Sequence, residues 1–166
     1  MDLSIITVNW KVKDLVFRSL QSLYKHTSGI SVEVFFVDND SRDGSVELIT
    51  KELPQVRIIA NQKNLGFAKA CNQGIKESTG DFVLLLNPDT EFFDNALGSL
   101  VTWMRAHPDV GIAGGKLLNP DRTLQESVRR FPTFVSQALI LLKLHHVFPN
   151  LKPLRRYFVK DFNYTK

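Results

Sequence analysis

The 166 residues suit one domain, and 43% hydrophobic with 10% aromatic side chains are enough for a packed core, which excludes a disordered chain. A single cysteine, Cys71, excludes an internal disulfide, and the opening MDLSII has neither a basic leader nor a long apolar run, so a cytoplasmic setting is expected. The net charge of +4 is uneven: residues 1–100 hold 10 basic and 13 acidic side chains, net −3, whereas residues 101–166 hold 11 and 4, net +7, a bias suited to an anionic partner.

In chain order, LSIITV (3–8) reads as a buried strand, and Val12, Leu15, Val16, Leu20 and Leu23 follow at the spacing of a helix. VEVFFVD (32–38) is a second strand, and after the turn NDSRDG a short helix carries Val46, Ile49 and Leu53 until Pro54 stops it. VRIIA (56–60) is a third strand, followed by a helix with Phe67, Ala70, Cys71, Gly74 and Ile75 on its inner stripe. DFVLLL (81–86) is a fourth strand, and Phe93, Ala96, Leu97, Leu100, Val101 and Met104 predict a helix ended by His107 and Pro108. VGIAGG (110–115) reads as a fifth strand, residues 119–122 as the tip of a hairpin, and 134–146 as a helix. Strands alternating with helices imply right-handed crossovers and a mostly parallel sheet with helices on both faces, a Rossmann-like α/β domain.

Ligands of such sheets bind outside the carboxyl ends of the strands. The chain delivers Thr7 and Asn9, then Asp38 to Ser41, then Asn61 to Gly66, and finally Asn87 to Glu91 to that edge. Neither G-x-G-x-x-G after the first strand nor G-x-x-x-x-G-K-[ST] occurs, which argues against a dinucleotide enzyme or a P-loop NTPase. The abrupt change from LLL to NPDTE fits another use: a rigid strand and Pro88 hold Asp89 where a hard divalent cation can bridge it to a diphosphate. As helix chemistry, Asp89 or Thr90 would instead cap a helix starting near Phe92, with Glu91 in its first turn. Asp38 has the same alternative in a turn rich in capping residues.

The blocks SIITVNW, FFVDNDSRDGS, NLGFAKACNQGI, GDFVLLLNPDTEF and GGKLLNPDRTLQESVRRFP, in this order and spacing, resemble the nucleotide-sugar-binding portion of family 2 glycosyltransferases with the GT-A fold. Within that family they are most similar to the rhamnosyltransferase-like branch that builds bacterial cell-surface polysaccharide. The resemblance implies transfer of a sugar, with inversion, from a UDP- or dTDP-sugar to a glycan or lipid-linked acceptor hydroxyl. On matching positions it implies that Asp38 holds the donor's base beside Thr7 and Asn9, and that Asn64, Gly66 and Lys69 lie along the nucleotide. Asn87 and Asp89 match the two ends of the D-x-D motif, so Asp89 is the expected ligand of Mg²⁺ or Mn²⁺ and Asn87 a neutral departure from the motif.

In the resembled family the catalytic base lies in a later acidic motif, and after Glu126 this chain has only Asp161. The expectation is therefore an incomplete enzyme: a nucleotide-sugar-binding domain over 1–132 and a basic amphipathic segment over 133–166 from an unfinished acceptor region. A non-catalytic nucleotide-sugar-binding module is the alternative. Nucleic acid is not expected, because the basic third lacks a recognition helix, zinc spacing or a stacking motif. His145 and His146 are adjacent rather than four apart, unlike a helical zinc pair, and Cys71 belongs to the core stripe. The segment 134–162 mixes aromatic and aliphatic residues with Lys143, Lys152, Arg155, Arg156 and Lys160, which predicts peripheral membrane contact at the inner face of the cell membrane; packing on a further region of protein is the alternative.

Overall fold

The structure, a computed structural model, describes residues 1–159 and 162–163; Lys160 and Asp161, named above, lie outside the described residues. The chain divides into two compact units, Met1–Ala113 and Gly114–Lys166.

In the first unit the apolar runs become β1 (Leu3–Asn9), β2 (Val32–Asn39), β3 (Arg57–Asn61) and β4 (Phe82–Leu86). All pair in parallel, in the order β3-β2-β1-β4. Strands β1 and β2 are buried over nearly their whole length, as expected of central parallel strands with both faces covered. Alternation along them sorts the core into two layers. Ile5, Val34 and Phe36 pack with α1 (Lys13–His26), α2 (Ser45–Glu52) and α4 (Ala96–Ala106), through Val16, Leu20, Ile49, Leu97 and Val101. Ile6, Val8, Phe35 and Val37 pack on the other face against Ala70 and Cys71 of α3 (Phe67–Glu77). Burial pushes the Cys71 thiol pKa up, in keeping with a core position.

Gly74 sets how closely α3 lies on the sheet: a Cβ there would fall 2.8 Å from Cγ2 of Ile6. Phe67 and Ile75, expected on the inner stripe of α3, are 54% and 41% exposed, because α3 rests on β1 and β2 through its middle and leaves its ends free. Beside it, Val83 and Leu85 of the edge strand β4 remain 43% and 47% exposed.

Two expectations are corrected by the course of the chain after β4. Residues 110–115 form no strand: Ile112 is 92% exposed, three glycines supply no side chain to anchor the segment, and among the described residues no partner strand pairs with it. Helix α4 begins at Ala96 rather than near Phe92, so neither Asp89 nor Thr90 caps it. Asn95 does, its Oδ1 accepting from Gly98 N–H (3.3 Å) and from Ser28 N–H (3.1 Å). The preceding residues are held by α1 instead, with Phe92 N–H donating to Ser22 Oγ (2.9 Å) and Glu91 paired with Arg18 (3.3 Å).

In the second unit the expected hairpin is one antiparallel bridge, Leu118 to Leu124, around a turn closed by Arg122 N–H donating to Asn119 O (2.8 Å). The helix expected over 134–146 is broken into α5 (Phe134–Leu141) and α6 (Leu144–Val147), because Lys143 adopts a left-handed φ of 56°. A last helix, α7 (Lys152–Phe158), buries Leu154 completely and contacts α5.

Candidate functional site

Strands β2 and β3 run outward from β1 on one side and β4 lies on its other side, so the order reverses between β1 and β4. A crevice outside the carboxyl ends of the strands is expected at such a switch point. The loops after β1 and β4 flank it.

At the end of β1 and β2, Asn9 and Asp38 are directly paired in register and both are buried. Asn9 Nδ2 donates to Asp38 Oδ1 (2.8 Å) and lies within hydrogen-bond distance of Ser41 Oγ (2.9 Å) and Ser45 Oγ (2.8 Å). Asp38 Oδ2 accepts from Ser41 N–H (3.0 Å), and Ser45 Oγ lies 3.5 Å from Oδ1. A carboxylate offers about four acceptor positions. Three are engaged, by Asn9, Ser41 and Ser45, so Asp38 organises the loop. Asn9 spends its amide inside this hub rather than on a surface. Thr7, one turn of the pleat earlier, is fully buried and its hydroxyl has no partner among the described residues.

Asp43 extends the hub outward. Its Oδ2 accepts from Lys13 N–H (3.2 Å) and its Oδ1 from Ser45 N–H (3.0 Å), satisfying the first turns of α1 and α2 together. Burial raises its pKa, but the Ser45 hydroxyl and the backbone N–H groups outweigh that and leave the carboxyl below its ordinary value.

Around the hub lies an open depression of about 540 Å³ lined by Lys11, Asp40, Ser41, Arg42 and Asp43. Three of these are non-glycine residues in the left-handed region: Lys11 at φ 60°, Asp40 at 58° and Arg42 at 53°. Each such residue costs about 1–2 kcal/mol, and strain of this kind concentrates at functional sites. The Arg42 guanidinium is occupied by Asp40 (2.7 Å), whereas the Lys11 ammonium lies 5.7 Å from the Trp10 ring. Trp10 is 55% exposed directly after β1. Sequence reasoning passed over Trp10, Lys11 and Arg42. An aromatic residue immediately beyond a buried strand was the available signal; the left-handed backbone had none.

On the other face, Asn61 Nδ2 donates to Asn39 Oδ1 (3.0 Å), and Asn61 exchanges two hydrogen bonds with Gln73 (both 2.9 Å). These ties fix the loop that carries Asn64, whose Oδ1 accepts from Gly66 N–H (2.8 Å). Gly66, at φ 79° and ψ 163°, occupies a conformation almost confined to glycine, and nothing lies within 4 Å of where a Cβ would be. Lys69 follows in the first turn of α3 with its side chain in solvent.

After β4, Thr90 N–H donates to Asn87 O (3.2 Å), closing the turn Asn87-Pro88-Asp89-Thr90 with proline in its favoured second position. Asn87 and Asp89 are both exposed, and among the described residues no hydrogen bond or ion pair engages the Asp89 carboxylate. Among the described residues no three His, Cys, Asp or Glu side chains gather to hold a metal by themselves. The sheet edge thus brings together Trp10, Lys11 and the Asp38 hub at one loop pair, and holds Asn87 and Asp89 across the switch point. Asn64, Gly66 and Lys69 belong to the β3–α3 loop and the turn after it.

A second depression, about 460 Å³, lies against β3 and α3, where Arg57 pairs with Glu33 (3.1 Å) and stacks on Phe35. It includes no strand-end loop residue, so we give it no part in this site.

The profile of the family described as "Glycosyl transferase family 2" matches residues 4–162. The N-acetylglucosaminyl-diphospho-decaprenol L-rhamnosyltransferase of Mycobacterium tuberculosis is 27% identical over 144 residues, covering 80% of this chain and 47% of the relative. The chain thus spans about half the length of this curated relative. Staphylococcus aureus TarS 1–349, solved with UDP-GlcNAc, shares the fold at a TM-score of 0.58 and 23% identity, over 65% of this chain and 32% of that one. The mannosyltransferase PcManGT of Pyrobaculum calidifontis, solved with GDP-Man and Mn²⁺, does so at 0.61 and 23% identity, over 72% and 36%. The parallel sheet with its reversal between β1 and β4 is accordingly a GT-A fold, and the chain belongs to glycosyl transferase family 2.

Proposed function

We propose that the chain binds a UDP- or dTDP-sugar at the carboxyl edge of its sheet, as the donor-binding portion of an inverting glycosyltransferase of cell-surface polysaccharide biosynthesis. The observation that carries this reading is a buried, pre-organised acid, Asp38, at the end of β2 and an exposed one, Asp89, in the turn after β4, both at the carboxyl edge of the sheet. Asp38 accepts from a base N–H, and Trp10 offers the base a ring face. Thr7 and Asn9 serve from beneath by holding the end of β1 and the carboxylate. Asn64, Gly66 and Lys69 line the nucleotide, with Lys69 and Lys11 supplying positive charge.

Asp89, assisted by the Asn87 carbonyl oxygen, would hold Mg²⁺ or Mn²⁺. A single free carboxylate at a rigid turn fits an ion whose remaining ligands are donor phosphates and water. Such an ion supplies positive charge to the departing nucleoside diphosphate. None of the residues given a role here is the base that deprotonates the acceptor. The name of the Mycobacterium tuberculosis relative supports a lipid-linked sugar as acceptor and rhamnose as the transferred group. We place the chain in the cytoplasm, peripheral to the inner face of the cell membrane; no described helix is long and apolar enough to cross one.

Trp10 provides the test. The chain has two tryptophans, so in a Trp103→Phe variant Trp10 is the sole indole. Saturable quenching of its emission by UDP or dTDP, and not by uridine or thymidine alone, is the expected result. Emission unchanged by every nucleoside diphosphate, GDP included, would reject the proposal.

A further inference from the structure

Helix α5 leaves two large apolar side chains in solvent and buries a serine on its opposite side, where Leu139 and Ile140 are half-buried beside it. With 3.6 residues per turn, Phe134 and Leu141 fall on one side of the helix and Ser136 on the opposite one. Ser136 is fully buried, whereas Phe134 is 89% and Leu141 81% exposed. A reciprocal pair fixes this orientation: Thr133 N–H donates to Ser136 Oγ (2.9 Å) and Ser136 N–H to Thr133 Oγ1 (3.2 Å). The exposed patch continues into Leu142, 68% exposed, and ends at Lys143 in its left-handed bend.

The charge around this patch has one sign. From Ser127 to Val159 there are six Lys and Arg residues and no Asp or Glu. The segment before α5 is tied to α7 by Arg130 N–H donating to Tyr157 O (3.0 Å) and by Arg129 stacked 5.0 Å from the Phe158 ring centroid. Helix α7, which contacts α5, adds exposed Lys152 and Arg156. A second copy would set these cations against one another. A bilayer rich in anionic phospholipid supplies both an apolar interior and a negative surface.

We propose that α5 and its Leu142–Lys143 corner dock on an anionic phospholipid bilayer. Phe134, Leu141 and Leu142 enter the interface, and Lys143, Lys152 and Arg156 supply charge for the headgroups. This inference rests on the membrane placement proposed above, and it is tested without donor or acceptor, so its failure leaves donor binding standing.

The experiment is flotation of the full chain with vesicles of phosphatidylcholine alone or mixed with phosphatidylglycerol. The wild type is expected to bind the anionic vesicles at least about tenfold more tightly, and to be released by about 0.5 M salt. Phe134→Ser with Leu141→Ser should weaken binding about tenfold or more. Lys143→Glu with Lys152→Glu and Arg156→Glu should abolish the preference for anionic lipid. All five side chains are exposed, so circular dichroism should match the wild type. No flotation by the wild type, or flotation unchanged in the serine variant, overturns the proposal. So does a dimer in sedimentation equilibrium that Leu141→Ser dissociates, since a second copy would then cover the patch.

Discussion

Replacing Asp38 with asparagine keeps its shape and removes one acceptor from a site that is only 4% exposed. Whichever way the new amide turns, its NH₂ faces a donor: Asn9 Nδ2 at the Oδ1 position, 2.8 Å away, or Ser41 N–H at the Oδ2 position, 3.0 Å away. A hydrogen bond to a charged group contributes about 1.5–3 kcal/mol, and the donor left facing a donor is buried, so Asp38→Asn should destabilise the chain by about 2–3 kcal/mol. Asn9 retains its contacts with Ser41 and Ser45, which keeps the loss from growing further. Asp40→Asn is the control. It breaks only the surface pair with Arg42, whose side chain is 80% exposed, and should cost less than about 0.5 kcal/mol. Urea unfolding followed by tryptophan fluorescence measures both, with an unchanged slope confirming that stability alone has moved. If Asp38→Asn matches the wild type to within about 0.5 kcal/mol, the buried hub does not organise the site as described.

Gly74→Ala should destabilise by about 1–3 kcal/mol in the same assay, because its methyl would meet the two γ carbons of Ile6 at 2.8 and 2.9 Å. Lys11→Gly should raise stability by about 0.5–1 kcal/mol through relief of its left-handed backbone, while lowering affinity for the nucleoside diphosphate. Glu33 is buried, which raises its pKa, but hydrogen bonds from Ser4 and Thr79 and the charge of Arg57 outweigh burial and lower it. A carboxyl lowered on folding stabilises fully above its unfolded pKa of about 4.3, and this contribution is lost as pH falls through the folded value. Stability measured from about pH 6 to pH 3 should therefore fall less steeply in Glu33→Gln than in the wild type. Burial pushes the Tyr24 hydroxyl up to about 12, against a smaller opposing effect of Gln55, so absorbance titration should show one tyrosine ionising well after a normal one.

The first four strands and the helices between them were legible because each is written in local periodicity: buried runs for β1 and β2, and Val16, Leu20 and Leu23 at helical spacing for α1. The fifth strand failed for a physical reason. A run such as VGIAGG can be a strand only if a neighbour completes its ladder, and no local pattern reports that neighbour. The start of α4 was misjudged likewise, since Asn95 caps it while also bonding Ser28, 67 residues away. At the site, the strand-end positions of Asp38 and Asp89 could be read from the sequence. Their contrasting states could not: Asp38 is sunk in a hub built by Asn9, Ser41 and Ser45, whereas Asp89 stands exposed in a proline turn. The left-handed backbone of Lys11, Asp40 and Arg42 arises from the loop geometry around that hub, and only Asp40 is of a type that favours it.

The central claim is that Asp89 and a divalent ion hold the diphosphate of a donor whose base is held at Asp38. Calorimetric titration of UDP and dTDP into the wild type and Asp89→Ala, with and without Mn²⁺, tests it most directly. The account predicts binding strengthened by Mn²⁺ in the wild type and a loss of that dependence in Asp89→Ala, with the fold intact because the Asp89 side chain is exposed. Binding that is indifferent to Mn²⁺ and unchanged by the substitution would contradict it.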